Sequence, residues 1–137
     1  MKDLFIADIH NTTVTDEGVS MMVGEQYLVE ASDFAAVENT VRSDAAGTGE
    51  MEFQRITRPK VAEVFDGAGE KFYRVKITIT TLDEKTGMDK KSTQAYLVRE
   101  NTLEGAMHEF TEAMRGTLSD WEFTSVNETK IVDYLRA

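Results

Sequence analysis

From Phe72 to Thr80 the chain alternates, with Tyr73, Val75, Ile77 and Ile79 on one side and Arg74, Lys76, Thr78 and Thr80 on the other. A period of two is that of a half-buried strand. The polar run "LDEKTGMD" then supplies hairpin-turn chemistry, with Gly87 placed to take a positive φ, and "STQAYLV" from Ser92 reads as the returning strand. After it the period lengthens. Leu103, Ala106, Met107, Phe110 and Met114 recur at helical spacing, which gives a helix one apolar face. Asn101 is placed to cap that helix, Glu104 completes a capping box, and Gly116 ends it. "DWEFTSV" reads as a third strand and "KIVDYL" as a short closing strand or helical turn.

The first half repeats this order. Phe5, Ala7 and Ile9 make a first strand, Glu17-Gly18 a turn, and "QYLVEA" the return. Phe34, Val37, Val41 and Ala45 form a helical stripe with Ser32 or Asp33 as cap, and "EMEFQRI" is a third strand that Pro59 stops. The matches are ordered as well as similar. Gly18 with Gly87, Tyr27-Leu28-Val29 with Tyr96-Leu97-Val98, and Gly47-Thr48 with Gly116-Thr117 all share an offset of 69. After one inserted residue, Glu52-Phe53 matches Glu122-Phe123, and "KVAEVF" from Lys60 matches "KIVDYL" from Lys130. Self-similarity at fixed spacing marks an internal duplication, with copies at 1–66 and 71–137.

A ββαβ unit has one apolar sheet face and a single helix to cover it, and two such units joined side by side can share a core. The pattern therefore predicts an α+β fold in a single domain, 1–137. It consists of two tandem ββαβ units about a pseudo-two-fold axis, with both helices on one face of an antiparallel-rich sheet. "DGAGEKF", from Asp66 to Phe72, reads as the linker between copies, since its glycines match neither the Walker nor the dinucleotide spacing.

Composition narrows the chemistry. A chain of 137 residues, 41% hydrophobic and 29% charged, is large enough for one core. It has no cysteine, which excludes disulfides, thiolate catalysis and Cys-based metal sites, and fits a reducing cytoplasm. The amino-terminal stretch is too short and too charged for a signal peptide, and no segment approaches the ~20 apolar residues of a membrane span. The net charge of −10 repels nucleic-acid phosphates, so general DNA or RNA binding is not expected. Residues 1–69 carry −8 of it and residues 70–137 only −2.

Within the acidic half, "RITRPK" is the one basic cluster. Arginine grips phosphate or carboxylate bidentately, so Arg55, Arg58 and Lys60, with Arg74, are the residues expected to contact an anion or partner. The blander reading is local balancing of nearby Asp and Glu. Asp8 and His10 share one strand face and could begin an acid–base or metal site, yet at the fixed offset Ile77 and Ile79 do not echo them. Glu104, His108 and Glu112 line one side of the second helix, away from its apolar stripe, as a solvated face would. Met21-Met22 sit in a hairpin arm where packing does not explain them, and Trp121 and Tyr134 either close the core or line a groove. With no spaced acid–base or metal set, no catalytic residue, metal or cofactor is expected.

The repeated "YLV…GT…EF" pattern, the hairpin "ITTLDEKTGMDKK" and the segment "AMRGTLSDWEFTSVNETKIVDY" resemble a family of uncharacterised small proteins of about this length, a domain of unknown function in Bacteroidetes and their phages. The resemblance spans nearly the whole chain. It implies a bacterial or phage cytoplasmic setting and transfers no catalytic residue. The expected function is a non-enzymatic binding or regulatory protein acting through protein–protein contacts, with a homodimer or a protein partner meeting a sheet edge and no membrane association. The alternatives are a small-ligand binder for a nucleotide or other anion, with Arg55, Arg58 or Arg74 converging, and an acidic nucleic-acid mimic acting against host defence.

Overall fold

A computed structural model describes residues 2–44, 51–117 and 119–137, and its fold is α+β, with two helices and eight strands in two mixed sheets. The chain forms two compact units, Met1–Pro59 with Lys130–Ala137, and Lys60–Thr129. Ala45 in the first helical stripe and the Gly47-Thr48 match lie outside the described residues.

In the first unit, β1 (Asp3–Val14) and β2 (Ser20–Ala31) form a long antiparallel hairpin. Gly18 turns it at φ 81°, where a side chain would be strained. The helix α1 (Phe34–Asp44) starts where Asp33 accepts a hydrogen bond from the Ala36 N–H, so Asp33 is the cap. The strand β3 (Met51–Thr57) returns antiparallel along β1. The fourth strand does not come next in sequence. It is β8 (Ile131–Arg136), parallel to β2, giving the order β3-β1-β2-β8. Val37 and Val41 of α1 are buried against Phe5, Ala7, Ile9, Tyr27, Val29 and Ala31.

The second unit has the same order of pieces. The strands β5 (Lys71–Leu82) and β6 (Asp89–Glu100) form its hairpin, turned at Gly87 with φ 70°. The helix α2 (Leu103–Ala113) follows, and β7 (Asp120–Glu128) lies antiparallel to β5. Its parallel strand is β4 (Glu63–Phe65), giving β4-β6-β5-β7. Here the core is aromatic, with Phe110 fully buried among Phe65, Tyr96, Trp121 and Phe123. Trp121 thus belongs to a core.

Three expectations are corrected. In place of one sheet carrying both helices there are two four-stranded sheets with one helix each, because β8 pairs beside β2 and β4 pairs beside β6. For the same reason the Asp66–Glu70 segment is an internal loop of the second unit and not a linker. A Cβ on Gly69 would fall 2.2 Å from the Glu100 carbonyl carbon, so only glycine lets the two backbones pass that closely. Finally, Thr102 caps α2, its hydroxyl accepting from the Gly105 N–H, while the Asn101 side chain instead accepts from the Glu70 N–H. "KIVDYL" resolves as a strand, and no described helix is long and apolar enough to cross a membrane.

Candidate functional site

Alternation along β1 sends Phe5, Ala7 and Ile9 into the first unit's core, which turns Asp8 and His10 to the opposite sheet face. Cross-strand pairing places Gln26 beside Asp8 and Gly24 beside His10 on β2. On the other flank, β3 brings Arg55 opposite Asp8, and a bulge makes Gln54 the extra residue there. Lys130 precedes Ile131, which pairs with Gln26, and so completes the rim. These residues bound an open cleft of about 400 Å3, within the roughly 300–1,000 Å3 of small-ligand sites.

The cleft is already electrostatically paired on one side. Arg55 Nε donates to Asp8 Oδ2 at 3.0 Å. Lys130 makes no ion pair with a described residue. The His10 ring lies beside Gly24, where an added Cβ would sit 3.6 Å from Cδ2, an ordinary van der Waals contact. On the core face, Asn11 and the Tyr27 hydroxyl both donate to Glu25, at 3.1 and 3.3 Å. Burial, reinforced by the Glu25 charge and this hydrogen bond, pushes the Tyr27 hydroxyl up to about 12.

A second depression, lined by His10, Thr12, Met22, Met51 and Glu52, adjoins this cleft, and a third lies at the hairpin tip between Thr15 and Met21. The arm between them is apolar and, among the described residues, exposed. Val14 is 69% exposed, Val19 54%, Met21 50%, Met22 64% and Val23 38%. Asp16 and Glu17 are the sole charges from Asn11 to Gly24. The matching arm of the second unit differs, with Leu82 and Met88 exposed among Asp83, Glu84, Lys85, Asp89, Lys90 and Lys91.

The four residues expected to contact an anion do not form one cluster. Arg55 belongs to the cleft. Arg58 pairs with Asp3 at 3.3 Å and lies over the Phe5 ring. Lys60 and Arg74 are exposed in the second unit. Register shows that the second-unit counterparts of Asp8 and His10 are Lys76 and Thr78, one residue before the positions implied by the fixed offset, because the second hairpin loop is one residue longer. Arg55 corresponds to Ser125 and Gln54 to Thr124, whose hydroxyl bonds Thr78 at 2.6 Å. The charged cleft is thus a feature of one copy. Glu104, His108 and Glu112 are exposed, Glu112 pairing with Arg115 at 2.7 Å, and among the described residues no three His, Asp or Glu side chains converge to hold a metal.

Sequence reasoning reached Asp8, His10 and Arg55 but missed Gly24, Gln26, Gln54 and Lys130, which only strand register brings together. The clearest available signal was Lys130, aligned with Lys60 at the head of each closing strand. No curated protein and no solved structure matches the chain. A family model does, over residues 3–137, and the chain belongs to that family, the Domain of unknown function (DUF4494).

Proposed function

We propose that this member of a family without an assigned activity is a non-enzymatic binding protein that docks a protein partner along the β1–β2 hairpin of its first unit. The carrying observation is the exposed arm, where Val14 and Met22, 69% and 64% exposed, share the sheet face of the polar cleft, with Val19, Met21 and Val23 exposed beside them on the hairpin. Apolar anchors rimmed by polar groups are the anatomy of a recognition surface, and methionine adapts to varied partner shapes. The contrast with the charged arm of the second unit supports the reading, since solubility alone would favour charge on both. A bacterial or phage cytoplasmic setting is part of the proposal.

A photo-crosslinking residue at Met22, compared with one at Leu82, tests this in cells that make the protein. An adduct with a distinct polypeptide at Met22, absent at Leu82 and lost on adding Val14→Lys, is expected. Equal labelling at both positions, or none at Met22, overturns it. A second reading, capture of a small anion, rests on Lys130 and His10 beside the cleft. It requires a nucleotide or phosphate panel to raise the melting temperature, and Lys130→Ala to abolish the rise.

A further inference from the structure

Each sheet is completed by a parallel strand beside its Tyr-Leu-Val strand, β4 from the second unit's own stretch of chain and β8 from the far end of the chain, beyond the second unit. In the first unit, Tyr27, Leu28 and Val29 of β2 pair with Asp133, Tyr134 and Leu135 of β8. In the second, Tyr96, Leu97 and Val98 of β6 pair with Glu63, Val64 and Phe65 of β4. Both acceptors read Tyr-Leu-Val and both inserts read acid, then apolar or aromatic, then apolar. The same edge receives the same kind of strand in the same parallel register, and within one chain β4 fills one edge and β8 the other.

We infer that the β2 edge also accepts β8 from a second copy of this chain, so that two copies interchange their C-terminal strands as a closed, two-fold dimer. The partner is fixed by chemistry: β8 of a second copy makes the same ladder, the same Tyr134–Glu30 hydrogen bond of 3.0 Å and the same Ala137–Glu30 backbone bond of 2.9 Å. What changes is the connection. Thr129 is held in the second unit, its N–H and hydroxyl both bonding the Phe72 carbonyl at 2.8 Å, and β8 begins at Ile131. The passage from the second unit to β8 is therefore Thr129-Lys130, and exchange of an identical element across such a hinge is a low-cost route to a dimer. Monomer and dimer share their contacts and differ in the cost of bringing a second chain, so the balance is set by an effective concentration of roughly millimolar order.

The absence of cysteine gives a clean test in the full chain. Glu30 and Arg136 are cross-strand partners, and neighbouring strands lie about 4.8 Å apart, within disulfide reach. Full-length Glu30→Cys and Arg136→Cys chains are unfolded, mixed, refolded together and oxidised, and the links are read by mass spectrometry. The expected product is a heterodimer linked 30–136, in excess over 30–30 and 136–136 links, its yield rising about tenfold between 10 and 100 µM chain as mass action requires. The Glu30→Cys/Arg136→Cys double variant, refolded dilute, is expected to close within one chain. If the double variant closes and the mixture yields only a statistical set of links, strand interchange is refuted. If the double variant fails to close, the β2–β8 pairing itself is wrong and the inference falls with it.

Discussion

Replacing Phe110 with alanine should do more damage than any other single truncation in the second unit's core. Phe110 is fully buried, and its ring meets Tyr96 at 5.0 Å, Trp121 at 5.3 Å, Phe123 at 5.8 Å and Phe65 at 5.9 Å between centroids. Four rings keep the space around it from closing easily, so the loss should sit high in the ~3–5 kcal/mol range for such truncations. The matching position of the first unit is Val41, also fully buried. Val41→Ala removes two carbons, about 1.6 kcal/mol by transfer and about 2 with its cavity. Trp121 is the single tryptophan and abuts Phe110, so its fluorescence reports the second unit during urea unfolding. At an m-value near 1.5 kcal/mol/M, Phe110→Ala should lower that midpoint by about 3 M. A shift below ~0.5 M, or a larger loss from Val41→Ala under the same probe, would refute the aromatic hub.

Three further outcomes follow from local geometry. Gly69→Ala places a Cβ 2.2 Å from the carbonyl carbon and 2.3 Å from the Cα of Glu100; backbone must move, so a loss of about 1–3 kcal/mol is expected in thermal melts. Burial, then hydrogen bonding and repulsion from Glu100, holds the Glu109 carboxyl above its ordinary range. The protonated form is favoured on folding, so this stabilisation is complete below the ordinary carboxylate range and is lost as pH rises through the raised value. Glu109→Gln should therefore match the parent in melts at pH 4 and equal or exceed it at pH 7. Tyr27, pushed up to about 12, favours its neutral form in the fold. Stability from it is complete below pH 10 and lost towards pH 12, and ultraviolet titration should show a late tyrosine transition that Tyr27→Phe removes.

Much of the local structure was legible because it is written in short-range periodicity. The alternation through Tyr73, Val75 and Ile77, the turns at Gly18 and Gly87, and the stripe through Ala106 and Phe110 each need only neighbouring residues, and each appears as an element. The partition into two sheets was not legible. The matching of Lys60–Phe65 with Lys130–Leu135 marked two similar strands, but similarity alone does not say which edge each one joins. The cap shifted from Asn101 to Thr102 for a comparable reason: Asn101 is drawn to the Glu70 N–H, a partner 31 residues away. Asp8, His10 and Arg55 were visible singly. Their union with Gln26 and Lys130 depends on three strand pairings and a bulge at Gln54, and local pattern encodes none of these. The exposed arm was half visible, in that Met21 and Met22 fell on no predicted apolar stripe, though their exposure follows from where the buried part of β2 begins.

Native mass spectrometry of the protein purified gently from its own host tests the docking surface most directly. The account predicts a complex with a distinct polypeptide, reduced at least tenfold by Val14→Lys with Met22→Lys while circular dichroism stays unchanged. A chain carrying instead a few hundred daltons of bound small molecule, or a polypeptide complex indifferent to those two lysines, would contradict it.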